Sequence, residues 1–224
     1  MQGFKPALSV AANNGGLSLI KEAFPNQSFP LGAVHEFFTS NVEDASASYG
    51  FISGILSSLM LNGGVSIWIS KAPLIFPPAL TQYGIDPSKI IFIHPKKDKD
   101  VLFVTEEALK SEGLSAVVAD IKEMSFTESR RFQLATEQSN VTAFIVRNKP
   151  RNLSTASVTR WRIKPITCEQ YQELPGISFP KWNVELTKVR NGKPGEWQME
   201  WKSVGFALVK QSQIKIIEQL RKVV

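Results

Sequence analysis

Cysteine and histidine are scarce in this sequence: Cys168 is the one cysteine, and His35 and His94 are the two histidines, among 224 residues. A single cysteine excludes an internal disulfide and any cysteine-based zinc site, and no metal or other cofactor is expected. The N-terminus lacks a basic cluster leading into an apolar run, so no signal peptide is read there. Long hydrophobic runs are missing as well. The most apolar stretch, around Gly50–Ile69, is interrupted by Gly54, Ser57, Ser58, Asn62 and Gly63 and does not read as a membrane span. A cytoplasmic, reduced protein with no membrane partner is expected. Positive charge is locally absent too: no Lys lies between Lys21 and Lys71, and no Arg precedes Arg130.

What is present is ordinary for a globular protein, with 43% hydrophobic and 21% charged residues. Lys and Arg number 26 against 20 Asp and Glu, a formal charge of +6 with a pI near 9.4. Up to about residue 147, short apolar runs alternate with helical stretches. Val34–Phe38, Val65–Ile69, Ile90–Ile93, Ala116–Ala119 and Thr142–Val146 are continuous rather than alternating, which suits strands buried on both faces of a parallel sheet. Ile52, Ile55, Leu56, Leu59 and Met60 recur at helical spacing, with Asn41 as N-cap and Gly63-Gly64 as stop. Ser125 with Glu128 forms a capping box for a helix through Arg131 and Leu134. Glu106-Glu107 read as the opening of a short helix after Thr105.

Beyond residue 147 the period becomes two. TRWRIKPI (159–166), WNVELTKVR (182–190) and EWQMEWK (196–202) alternate, and NGKPG (191–195) joins the last two as a hairpin turn. Gln213–Val224 places Ile217, Leu220 and Val224 on one helical stripe. The fold class expected is therefore α/β: a mostly parallel sheet flanked by helices, then an antiparallel β extension and a terminal helix.

Three places carry candidate chemistry. After Val34–Phe38, a phosphate-binding protein would have a glycine-rich turn ending in Lys and Ser/Thr. Here the turn reads FFTSNVEDASASYG (37–50), without glycine before Gly50 and without Lys. Thr39, Ser40, Asn41 and Ser46 form a hydroxyl- and amide-rich set that serves either as a plain helix cap or as a weak anion site. Asp120 ends the apolar run LSAVVAD (114–120); it fits a magnesium-positioning carboxylate, a cap on the next turn, or a partner for a Lys. In the second half, Arg160 and Arg162 flank Trp161, Arg190 and Lys193 flank the hairpin turn, and Trp182, Trp197 and Trp201 lie in or beside its strands. Such interleaving suits either single-stranded nucleic acid on a stacking face or tryptophans in the core beneath a cationic face. No nucleophile elbow, HExxH or triad is visible, and no catalytic residue is assigned.

The pieces PLGAVHEFF (30–38), GF (50–51), WI (68–69), GIDPSKIIF (84–92), EEAL (106–109), SRRFQLA (129–135), STASVTRWRI (154–163), WNVELTKVRNGKPG (182–195) and the Trp197/Trp201 pair resemble the ImuA family. The likeness runs from about residue 25 to 203, in order. It implies a RecA-like core and a role in damage-induced translesion synthesis. The partners it implies are an ImuB-like Y-family polymerase homologue, an error-prone C-family polymerase and RecA, with DNA as a further candidate. By position it sets Asp120 at the Walker B carboxylate and Thr39–Ser46 at Walker A, with Ala45 or a neighbour in place of the lysine. Arg130 and Arg131 of SRRFQLA join Arg160, Arg162, Arg190 and Lys193 as candidates for binding a partner or DNA.

The organisation expected is an N-terminal segment (1–24), a RecA-like core lacking a working phosphate grip (25–150), and a basic extension with its terminal helix (151–224). The function expected is a non-catalytic adaptor; a divergent RecA-like ATPase and a SulA-like division inhibitor are the alternatives. The charge divides unevenly: residues 1–146 hold 11 Lys and Arg against 14 Asp and Glu, residues 147–224 hold 15 against 6. Any polyanion is therefore expected at the extension.

Overall fold

The computed structural model describes residues 17–61, 63–166, 179–202 and 205–209. The apolar runs form the strands Val34–Thr39 (β1), Val65–Ile69 (β2), Ile90–Ile93 (β3), Leu114–Asp120 (β4) and Thr142–Asn148 (β5). All five pair in parallel, in the order β3-β2-β4-β5-β1. Parallel neighbours need crossovers rather than tight turns. Val42–Leu59 (α1), Asp98–Leu109 (α2) and Phe126–Ser139 (α3) supply three of them, and two short 3₁₀ turns, Pro77–Tyr83 and Pro87–Lys89, lie on the way from β2 to β3.

Alternate residues of each strand feed two separate cores. Phe37, Trp68, Val118 and Phe144 join α1 on one face. Val34, Ile69, Val117 and Ile145 join α2 and α3 on the other. The helix signals are borne out where they are local. Asn41 caps α1, and Ser125 with Glu128 forms both bonds of a capping box on α3. Glu106-Glu107 do not open a helix. They lie near the end of α2, whose acidic first turn is Asp98 and Asp100. Glu106 instead holds Arg131 of α3 and Lys110, so tertiary pairing places it there rather than the helix dipole.

The same sheet continues into the second half. Thr159–Pro165 (β6) pairs in parallel with β1, and Lys181–Val189 (β7), Gly195–Lys202 (β8) and Gly205–Leu208 (β9) follow antiparallel, giving nine strands in one sheet among the described residues. β9 has no signal of its own in the sequence, since four residues are too few to show a period. Period-two alternation turns Trp161, Ile163, Trp182, Val184, Leu186, Met199, Trp201 and Phe206 onto the α1 core. Each large side chain so buried contributes about 2–3 kcal/mol. Gly50 and Gly54 let these rings reach the helix. A Cβ at Gly54 would run into Phe206 and Trp201, and one at Gly50 into Tyr83 and Trp182.

A chain of buried hydrogen bonds ties the extension to β1. The Trp161 indole N–H donates to Thr159 Oγ1 (2.6 Å), the Thr159 hydroxyl lies 2.6 Å from His35 Nδ1, and His35 Nε2 lies 2.8 Å from the Pro30 carbonyl. One tautomer satisfies all three: Nε2–H donates to Pro30 and Nδ1 accepts from Thr159. Burial holds His35 neutral, with its pKa lowered to about 3. The hairpin tip rests on the N-terminal 3₁₀ segment Leu17–Ala23, where Lys193 N–H donates to the Ala23 carbonyl (2.9 Å). The helix expected over Gln213–Val224 lies outside the described residues. Among the described residues no helix is long and apolar enough to cross a membrane.

Candidate functional site

Ligands of open α/β sheets bind outside the carboxyl ends of the strands. There the turn between β1 and α1 closes on itself. The Ser40 N–H donates to Asp44 Oδ2 (3.1 Å), and the Asp44 N–H donates to Asn41 Oδ1 (2.7 Å). These are the backbone donors that a helix start would offer an anion. A carboxylate of the same chain already engages one of them. The four residues singled out from the sequence do not converge. Thr39 is buried with its hydroxyl 3.5 Å from the Arg147 carbonyl, Ser40 and Asn41 are tied to Asp44, and Ser46 is exposed one turn along α1.

Asp120 stands at the end of β4, which β5 separates from β1. It neither caps a turn nor pairs with a Lys. Its Oδ1 accepts the Tyr49 hydroxyl of α1 (2.6 Å), while Oδ2 is buried without a hydrogen-bond partner. Burial pushes its pKa up to about 6, opposed by the Tyr49 hydrogen bond. Burial, and then the Asp120 charge, pushes the Tyr49 phenol up as well. The pair therefore acts as a hydrogen-bonded clamp between helix and sheet, with the carboxyl holding its proton only below about pH 6.

Most of the arginines expected on a cationic face are engaged within the protein. Glu36, fully buried in β1, accepts from Arg147 Nη1 (3.1 Å), Arg160 Nη2 (3.1 Å), Thr155 Oγ1 (2.7 Å) and Ser157 Oγ (2.8 Å). Arg160 also donates to the Leu153 carbonyl, Lys188 to that of Thr155 and Arg190 to that of Ala156, at 2.6, 3.1 and 2.8 Å. The guanidinium groups of Arg147 and Arg160 lie over Phe38 at 5.6 and 4.6 Å. Burial, then Arg160, lowers the Lys188 pKa. These cations clamp the segment 149–158 onto the sheet: Arg147 is buried, Arg160 and Lys188 are half-buried, and Arg190 is exposed but held by the Ala156 carbonyl. Arg162 faces out and stands 3.8 Å from Glu185, and Arg131 is paired with Glu106. Arg130 and Lys193 are exposed.

The tryptophans belong to the core. Trp161, Trp182 and Trp201 are buried, and Trp197 is half-buried against them. Sequence reasoning passed over Glu36 and Arg147. The available signal was an acid in an otherwise apolar run, VHEFF, since a carboxylate buried in a sheet requires cations around it.

The chain is 30% identical over 210 residues to Protein ImuA of Caulobacter vibrioides strain NA1000 / CB15N, covering 86% of each chain, and equally to the ImuA of strain ATCC 19089 / CIP 103742 / CB 15. The chain belongs to the ImuA family. No family model matches it. Among solved structures it is similar to the RadB recombinase, with a TM-score of 0.58 at 13% identity over 88% of this chain and 99% of that one. At that identity the likeness is one of fold, and it makes this ImuA relative RecA-like in architecture. Against that architecture the motifs gain a physical meaning. In SRRFQLA, Ser129 and Gln133 face inward, Ser129 Oγ accepting the Ala156 N–H (2.9 Å) and Gln133 Oε1 the Val34 N–H (3.1 Å). In STASVTRWRI, Thr155, Ser157 and Arg160 surround Glu36.

Proposed function

We propose that this protein is a non-catalytic RecA-like adaptor of damage-induced mutagenesis, acting in the cytoplasm. On this reading it docks onto an ImuB-like polymerase homologue, an error-prone C-family polymerase and RecA. The observation that carries the non-catalytic part is the self-closed turn at Ser40–Asp44. The Ser40 N–H just ahead of the helix meets an internal carboxylate, the Asp44 N–H in its first turn meets the Asn41 amide oxygen, and no lysine follows in the turn. A triphosphate there would have to displace Asp44 and meet Glu43 without a lysine in the turn itself to offset either. Membership of the ImuA family supports the cellular role.

One observation favours the divergent-ATPase reading: Asp120 keeps a buried carboxylate oxygen without a partner. Isothermal titration with ATP and magnesium separates the two. The adaptor reading expects no heat of binding and no phosphate release; micromolar binding with turnover overturns it. Capture of the ImuB-like partner or RecA by tagged full-length protein tests the docking. Failure to retain either removes that part.

A further inference from the structure

The carboxyl edge of the parallel sheet gathers charge that the acidic sum of the core conceals. Because β1 to β6 run in parallel, the residues that follow or end each strand emerge on one side. Lys96 and Lys97 follow β3, Lys122 follows β4, Lys149 and Arg151 follow β5, and Lys164 is the last residue but one of β6. All six are exposed, and none has a side-chain hydrogen bond or ion pair among the described residues. The nearby carboxylates only partly oppose them. Asp98 is held by Lys71, Glu123 stands 3.5 Å from the buried Arg147 while accepting the Arg151 amide N–H, and Glu128 accepts the Ser125 amide N–H, which leaves Glu43 and Asp100. Beneath this rim the Glu36 cluster adds Arg147, Arg160 and Lys188 around a single buried carboxylate.

Three exposed phenylalanines lie on the same edge. Phe126, 54% exposed, opens α3 just past Lys122. Phe76 and Phe179, 71% and 50% exposed, stand beside the first turns of α1, lining grooves that both include Ser46. Unopposed cations track a phosphate backbone, and exposed rings stack on bases that are not already paired. Five inter-strand steps of about 4.8 Å make the row roughly 24 Å long, enough for several nucleotides.

We infer that the carboxyl edge of the sheet, from Lys96 to Lys164, is a sequence-independent binding surface for single-stranded nucleic acid. The inference rests on the adaptor reading for its setting, as it names the substrate class such an adaptor would meet. The two fail separately, because capture of a protein partner needs no oligonucleotide.

The test is fluorescence anisotropy of a labelled 20-mer oligothymidylate with the full chain across a salt series. Wild-type affinity is expected to fall linearly in log–log form with salt. The triple variant Lys122→Gln, Lys149→Gln, Arg151→Gln should bind at least about tenfold more weakly, with a slope shallower by about 2, at roughly 0.7 per lost phosphate contact. Phe126→Ala should lose about fivefold or more. Lys89→Gln, just before β3 at the opposite, amino edge, should stay within about twofold. Circular dichroism of each variant confirms that these exposed changes leave the fold intact. Absence of salt-dependent binding by the wild type overturns the inference, as does a triple variant with unchanged affinity and slope. Equal competition by polyglutamate with no effect of Phe126→Ala overturns the nucleic-acid assignment in favour of an acidic protein segment.

Discussion

The parallel core and the β extension differ in charge in one sense and in availability of charge in the opposite sense. Residues 147–224 hold 15 Lys and Arg against 6 Asp and Glu, yet Arg160, Lys188 and Arg190 close on the carbonyls of Leu153, Thr155 and Ala156. The open face of the extension sets Arg162 beside Glu185 and Lys202 beside Glu200. Residues 1–146 hold 11 cations against 14 acids, yet Lys96, Lys97 and Lys122 are exposed at the sheet edge with no carboxylate on them. Three unpaired cations at that edge, Lys149, Arg151 and Lys164, do come from the second half, carried there by β5 and β6. The net charge of a segment thus says little about which of its charges a ligand can reach. A buried cation is held by acceptors close in space, whereas an exposed one is left to solvent and salt.

Three outcomes would break or sharpen this contrast. The largest concerns Glu36→Gln. If Arg147 and Arg160 are truly internal, removing the shared charge leaves them buried and unbalanced, and urea unfolding should show a loss of about 3–5 kcal/mol. Arg162→Gln should cost under about 1 kcal/mol, as an exposed pair does. Equal effects at both sites would erase the distinction between clamped and surface charge.

The next is read from pH. Asp120 has its folded pKa raised to about 6 from 3.8, so the stability it contributes is full when it is protonated and is lost as pH rises through 6. His35 has its folded pKa lowered to about 3 from 6.5, so its contribution is full above 6.5 and is lost as pH falls from there toward 3. Asp120→Asn keeps an acceptor for Tyr49 and removes the first effect alone. Its advantage over wild type should be near zero at pH 3.5 and approach about 2–3 kcal/mol at pH 7. A difference that does not vary with pH contradicts the buried, proton-holding carboxyl. The smallest effect is Asn41→Ala. Loss of this cap should cost about 1 kcal/mol of stability, with the ATP titration unaltered, since the turn serves the helix. A change in nucleotide binding instead would restore the turn as a ligand site.

Much of the architecture was legible in the sequence because it rests on local periodicity. Continuous apolar runs became β1 to β5, and alternation became β6 to β8, within a residue or two at their ends. Asn41 and Ser125 cap the helices their positions in the sequence predict. The candidate site was legible only in what it lacks. That no Lys serves the turn is visible in FFTSNVEDASASYG, but that Asp44 folds back onto Ser40 is not. Asp120 was visible as an acid ending an apolar run. Its partner, Tyr49, lies 71 residues away in the chain, and no spacing rule reaches that far.

By itself, the sequence determined which stretches are strand or helix, which face of each is apolar, and that positive charge is missing after the first strand. Those properties depend on neighbours a few positions apart, where chain geometry dictates who meets whom. Only the tertiary structure decided the fate of each charge. Glu36 reaches Arg147 and Arg160 across more than 100 positions, and parallel strand order brings Lys96, Lys122 and Lys164 to one edge. Whether a side chain is clamped or free depends on distance and solvent exposure in the folded state, and neither is a property of local sequence.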